Sequence, residues 1–260
     1  MMAPTSLNNP HCLLGIAFDG ESLEELAEAI AQVPQAGQGV RLVVTANTDH
    51  VVLLNENAAL RQAYRRSWRH TIDGMPLWLY GRIRSKAVPP RVTGADLFPV
   101  VLRRLIPTIH RLFFVAATDE IARRLKDWGG KAGYSADALA VEIPPFGFER
   151  DMDYGEQLAG RIRMFGATHL FFGVGCPRSE IWIDEHSGDL GDLYALAVGA
   201  ALSFFTGTSR RAPALISKIG FEWMWRMIQE PRRLGPRYLG RGWKFIAIIV
   251  SDLRGRCNLI

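Results

Sequence analysis

The chain has 260 residues, 48% of them hydrophobic, three cysteines and a formal net charge of +5. That length suits one large domain, or a domain with an appendage, and the lack of any repeat at a fixed period excludes a solenoid. Cys12, Cys176 and Cys257 form no CxxC pair and have no histidine at metal-ligand spacing, which argues against a disulfide framework or a structural zinc motif and fits a reducing compartment.

The opening MMAPTSLNNPHC has no basic segment followed by an apolar run, so no secretion signal is expected. Strand-like runs follow at CLLGIAF (12–18), VRLVVTA (40–46), RLFFVAAT (111–118), ALAVEI (138–143), HLFFGVG (169–175) and LYALAVGAAL (193–202). They are apolar throughout rather than alternating, as strands covered on both faces are. Between them, SLEELAEAIAQV and DEIARRLKDWGG carry apolar residues at helical spacing. The second has Thr118 as its N-cap, acids in its first turn and Gly129-Gly130 as its stop. This alternation predicts an α/β fold: a Rossmann-like, mostly parallel sheet with helices on both faces and ligands at the carboxyl ends of the strands.

After Gly207 the texture changes. Residues 1–207 read as an α/β core and 208–260 as a helical C-terminal appendage, broken at Pro231, at Gly235-Pro236 and between Gly240 and Gly242. From Arg210 to Ile260 there are eleven Lys/Arg against three acids, a net +8 that leaves the first 209 residues at −3. Trp223, Trp225 and Trp243 lie among these charges. Such a segment suits an anionic membrane surface or ligand; the alternative is a solvated basic tail whose tryptophans pack on the core. Its most apolar run, FIAIIV (245–250), is far short of the ~20 residues that span a bilayer.

Several polar residues mark strand ends. VVTANTDH ends a buried strand with Thr45, Asn47, Thr48 and Asp49; the competing reading is a helix cap supplied by Thr48 or Asp49. In HTIDGMPLWLYG, Asp73 reads on local sequence as a turn residue or helix N-cap. FFGVGCPRSEIW is a glycine-rich strand-to-helix turn holding Gly175, Pro177, Ser179 and Glu180, with Pro177 natural at N1. Arg178 stands where GxGxxG needs its third glycine, and GK[ST] is missing, so neither a dinucleotide fingerprint nor a P-loop is present. PPRVTGADL combines Arg91, a capping Thr93, Gly94 and Asp96; TGTSRRAP places Arg210 and Arg211 before a proline. The DMD at 151–153 reads better as a loop entering a helix than as a metal clamp. Six scattered histidines give no support for Ser-His or Cys-His catalysis.

Taken in order, TANTDHVVLLNENAALRQAYRRS, IDGMPLWLYGR, RVTGADL, FFGVGCPRSEIWI, AVGAALSFFTGTSRRAP and GFEWMWRMIQEPRRLGPRYL resemble the WecG/TagA/CpsF glycosyltransferase family, from about Leu13 to about Leu239. The resemblance implies an inverting, metal-independent enzyme that needs no cofactor. It would move a sugar from a UDP-sugar onto a polyprenyl-diphosphate-linked saccharide in exopolysaccharide, teichoic-acid or related surface-polysaccharide assembly. It implies Asp73 as general base, Thr45 and Asn47 in the pocket, and Arg91 beside it. Ser179 replaces a frequent Gln, and Ser203 stands where an acid or amide is frequent, so donor choice is expected to differ. Arg210, Arg211, Arg226, Arg232, Arg233 and Arg237 would meet the donor diphosphate, the lipid diphosphate or anionic headgroups. A cytoplasmic enzyme peripheral to the inner face of the bacterial plasma membrane is expected, with homo-oligomerisation left open. The rival classes are weaker. An NAD-dependent oxidoreductase lacks its glycine fingerprint, and a basic nucleic-acid-binding module lacks a recognised motif.

Overall fold

Five of the apolar runs and the short strand at 69–72 pair into one all-parallel sheet in a computed structural model of the chain, which describes residues 11–84, 87–213, 216 and 220–260, with backbone alone at 226, 233–234 and 236–239. In chain order the elements begin with a two-stranded hairpin, β1 (Cys12–Leu13) and β2 (Ile16–Ala17). Then come α1 (Leu23–Ile30), β3 (Val40–Ala46), α2 (Thr48–Glu56), α3 (Ala58–Arg66), β4 (Arg69–Ile72), α4 (Met75–Arg84) and α5 (Gly94–Arg104). The middle of the chain gives β5 (Leu112–Val115), α6 (Asp119–Lys131), β6 (Leu139–Glu142), α7 (Met152–Phe165) and β7 (His169–Phe172). The last part holds α8 (Arg178–Glu185), α9 (Ser187–Leu190), β8 (Leu193–Ala197), α10 (Ala201–Phe205), α11 (Glu222–Gln229) and α12 (Pro231–Leu253). The large sheet runs β4-β3-β8-β7-β5-β6, and the expected α/β architecture is the one observed.

Neighbouring residues of each strand enter opposite cores, because side chains alternate across a sheet. Val44, Phe172 and Ala195 face a core shared with α2, α3, α8 and α12, where Leu54, Tyr64, Trp182, Phe245 and Ile248 are buried. Val43, Phe171 and Leu196 face the other core, against α1, α5, α6 and α10. This two-sided burial is why the strands read as continuous apolar runs.

The sequence expectation needs local correction in several places. The run 12–18 is a separate antiparallel hairpin turned by Leu14 (φ 57°) and Gly15 (φ 82°), outside the main sheet. The edge strand β4 lies outside the apolar runs, because Arg69, His70 and Thr71 dilute its signal. Helix α6 runs through Gly129-Gly130 to Lys131, and Gly133 (φ 89°) supplies the left-handed residue beyond it. Pro177 is the N-cap of α8, one position before the expected N1. Helix α12 starts at Pro231, the first expected break, and runs unbroken through the other two, Gly235-Pro236 and Gly240 to Gly242. Burial of Phe245 and Ile248 outweighs the low helix propensity of those residues.

The C-terminal helix is tied to the rest of the chain along its length. Lys244 Nζ lies 2.6 Å from Glu56, and Arg241 pairs with the buried Asp49 at 3.5 Å. Tyr80 donates its hydroxyl to Asp252, which also pairs with Arg84 at 3.1 Å. Among the described residues, no helix is long and apolar enough to cross a membrane.

The crossovers place the ligand crevice. Strands β3 and β7 lead into α2 and α8 on one face, while β8 between them leads into α10 on the other. At such a switch point the loops diverge and leave a cleft at the carboxyl ends.

Candidate active site

Asp73 stands immediately after β4, beside the end of β3. Its amide donates to the Ala46 carbonyl at 2.8 Å, and Gly74 donates to the same oxygen at 3.2 Å. A Cβ on Gly74 would sit 3.1 Å from the Asn47 Cα, closer than most real contacts, so a larger residue here would push the two loops apart by a few tenths of an ångström. The Asp73 carboxylate accepts from the Gly94 amide, the first of α5, at 3.3 Å. The local expectation that it caps the helix following it is therefore corrected: among the described residues, its hydrogen bond goes to a different helix.

Arg91 forms an isolated bridge to Ile72 and donates Nη1 to the Asp73 carbonyl at 3.0 Å. Thr93 caps α5 by accepting from the Asp96 amide, and its hydroxyl donates to the Asp96 carboxylate at 2.7 Å. Thr45 Oγ1 lies 3.2 Å from where a Gly94 Cβ would project. Thr45, Arg91, Gly94 and Asp96 thus stand together around Asp73.

Asn47 has a structural task as well. Its Oδ1 accepts from the amides of Asp49 (2.9 Å) and His50 (3.2 Å), making Asn47 the N-cap of α2 in place of the expected Thr48 or Asp49. An extended backbone at Asn47 aims the short amide at these donors.

The Asp73 carboxyl is half-buried, and burial pushes its pKa up from 3.8 to about 6. The Gly94 amide and Arg91 oppose that shift; Glu222 and Asp96 add to it. Glu222 belongs to α11, so the C-terminal segment contributes to the electrostatics of the site. Arg211 donates Nη2 to Asp96 at 2.7 Å and lies 4.0 Å from Glu222.

The turn after β7 forms a second cluster. Gly175 takes φ 90°, a left-handed conformation that suits glycine. Ser179 is buried and donates its hydroxyl to the Gly175 carbonyl at 3.3 Å. Glu180 is 2% exposed, and burial pushes its pKa up to about 7. Around it stand Cys176 and His50, with Nε2 of His50 3.8 Å from Glu180 and Nδ1 2.6 Å from the Tyr64 hydroxyl. Tyr64 is fully buried, and burial raises its pKa, with smaller contributions in the same direction from Cys176, Glu180 and Asp73. Neither His50 nor Tyr64 was singled out in the sequence, and no local spacing could have joined either to Glu180.

The outlying arginines differ. Arg210 is exposed, with its carbonyl accepting from Gln229, and Arg232 is exposed near the start of α12. The side chains of Arg226, Arg233 and Arg237 lie outside the described residues. Beside Asp73, a hollow of about 450 Å³ is lined by Met75, Trp78, Arg82 and the 88–91 loop. A smaller one, about 210 Å³ around Val33, Arg163 and Asp192, lies near the opposite ends of the strands.

A parallel α/β sheet with a raised-pKa carboxylate at a strand end, flanked by arginines and helix N-termini, has the parts of a group-transfer enzyme acting on an anionic substrate. The sequence pattern of the "Glycosyl transferase WecG/TagA/CpsF family" matches residues 11–258. The chain belongs to that family and is a glycosyltransferase. Similar proteins include the "N-acetylglucosaminyldiphosphoundecaprenol N-acetyl-beta-D-mannosaminyltransferase" of Staphylococcus aureus strains MW2 and MRSA252. Each is 25% identical over 229 residues, covering 86% of either chain.

Proposed function

We propose that this glycosyltransferase moves a sugar from a UDP-sugar onto a polyprenyl-diphosphate-linked saccharide with inversion, using Asp73 as the general base. The observation carrying this reading is the Asp73 carboxyl itself: half-buried at the cleft, pKa about 6, held by the Gly94 amide and flanked by Arg91. At neutral pH such a group is mostly ionised yet basic enough to accept a proton in the transition state. The acceptor hydroxyl attacks the anomeric carbon as its proton passes to Asp73. The anomeric bond to the diphosphate breaks on the opposite face, so a single displacement inverts the centre. The N-terminal amides of α2, α5 and α8, with Arg91 and Arg211, offer positive potential to the departing diphosphate.

The relatives' names motivate the substrate classes: N-acetylmannosamine as the sugar and an undecaprenyl-diphosphate-linked N-acetylglucosamine as the acceptor. The hollow beside Asp73, lined by Trp78 with Arg82 stacked over its ring and by Arg91, suits the acceptor saccharide and its diphosphate. Exposed Trp223, Trp243, Ile228 and Ile246 on α11 and α12 accompany the basic residues, which supports peripheral contact with an anionic bilayer. A panel of UDP-sugars against a short-chain polyprenyl-diphosphate N-acetylglucosamine acceptor tests the assignment. Turnover with UDP-N-acetylmannosamine and an inverted product are expected. Failure of every UDP-sugar, with turnover on another nucleotide donor, would overturn the donor class.

A further inference from the structure

We propose that His50, Cys176 and Glu180 form a binding site for one zinc-class divalent ion, clamping α2 to the turn that opens α8. The three residues each offer one ligand atom, and these atoms all lie within 4.8 Å of one another. His50 Nε2 and Glu180 Oε1 are already 3.8 Å apart. Around a tetrahedral ion with bonds of about 2.0–2.3 Å, ligand atoms stand about 3.3–3.8 Å from each other. Small side-chain adjustments therefore close the set, without moving either helix.

The donor chemistry selects the ion. Imidazole nitrogen, thiolate sulfur and carboxylate oxygen together suit Zn²⁺; Mg²⁺ and Ca²⁺ prefer all-oxygen shells. The surroundings are built for it. The Tyr64 hydroxyl lies 2.6 Å from His50 Nδ1, and in the tautomer that donates Nδ1–H to Tyr64 the Nε2 lone pair points to Glu180. Such an outer contact is what orients metal-binding histidines. Independently, Glu180 is 2% exposed and its Oε2 has no hydrogen-bond partner among the described residues. A buried carboxylate oxygen left so is costly, and a cation resolves it. Three protein ligands leave one tetrahedral position for water. The proposed transfer reaction does not pass through this ion, so the proposal stands apart from the assignment of Asp73.

The test uses the full chain after treatment with a chelator, titrated with Co²⁺ and then Zn²⁺. One ion per chain, a cobalt–thiolate charge-transfer absorption and a melting temperature that climbs with Zn²⁺ but not Mg²⁺ are expected. Cys176→Ser removes the absorption, while Cys12→Ser and Cys257→Ser keep it. Tyr64→Phe weakens binding about tenfold with all three ligands intact. Wild-type protein that takes up no stoichiometric Zn²⁺ would overturn the proposal and leave a plain hydrogen-bonded cluster. So would an absorption that survives Cys176→Ser. Circular dichroism of each variant separates loss of the site from loss of the fold.

Discussion

Asp73→Asn is expected to slow transfer by orders of magnitude and, above pH 6, to stabilise the fold. The asparagine keeps an oxygen for the Gly94 amide, so the loop geometry survives while the charge goes. Burial raises the Asp73 pKa from 3.8 to about 6, a shift of about two units that corresponds to ~3 kcal/mol at 1.36 kcal/mol per unit. The carboxyl is only half-buried, and solvent screening brings this to about 1–2 kcal/mol. The sign follows from linkage. The native state holds the Asp73 proton more tightly than the unfolded state does. Its contribution to stability is therefore fully present below the unfolded pKa and lost as pH rises through about 6. Melts of wild type and variant should coincide below pH 4 and separate between pH 4 and 6. Above pH 7 the variant should melt about 2–8 °C higher, taking ~2–4 °C per kcal/mol for a chain of this size. In turnover assays kcat should fall about 10²- to 10⁴-fold, and the acid limb near pH 6 expected of wild type should be absent from the variant. A variant within tenfold of wild-type kcat refutes the base assignment. A variant less stable than wild type at pH 8 refutes the electrostatic argument.

Three further outcomes test the frame around that carboxyl. Glu222→Gln removes a negative charge that pushes the Asp73 pKa up, so the acid limb of kcat/KM should move to lower pH, by less than about one unit. Gly74→Ala drives a Cβ to 3.1 Å from Asn47 Cα, and an overpacking cost of about 1–3 kcal/mol in denaturant melts should accompany lost turnover. Phe245→Ala, on the C-terminal helix, leaves a cavity in the core shared with α2; a loss of about 3–5 kcal/mol in chemical denaturation is expected, against almost none for the exposed Trp243→Ala.

The parts of this molecule that sequence reveals are those written in local chemistry. Strands β3, β5, β7 and β8 are buried on both faces and advertise themselves as unbroken apolar runs. Strand β4 has one neighbour, β3, and its Arg69 and His70 are half-buried, so it carries little of that signal. Gly129 looks like a helix stop, yet it is the point where α6 meets β6: a Cβ there would come within 2.4 Å of Leu139. The glycine records close packing, not termination. The motifs holding Thr45, Asp73, Arg91 and Gly94 were visible separately, and the parallel pairing of β3 with β4 explains why they meet. His50 and Glu180 are adjacent only because β3 and β7 send their helices to the same face. Such contacts depend on strand order, which no window of sequence contains.

The C-terminal charge excess takes a different meaning once its neighbours are known. A basic tail that only touched lipid would present its charges outward and leave the strand ends alone. Here Arg211 reaches Asp96, Arg241 reaches the buried Asp49, and Lys244 reaches Glu56, so several cations compensate acids on α2 and α5. Glu222, one of only three acids after residue 209, works in the opposite sense and raises the pKa of Asp73. The same segment therefore neutralises acids at the rim and keeps the carboxyl at its centre basic. Severing Arg211 from Asp96 and Glu222 by Arg211→Ala should leave both acids less compensated. It should move the acid limb of kcat/KM upward, opposite to Glu222→Gln, because uncompensated negative charge near Asp73 favours its protonated form. If both substitutions shift the limb the same way, the coupling between tail and base is not electrostatic.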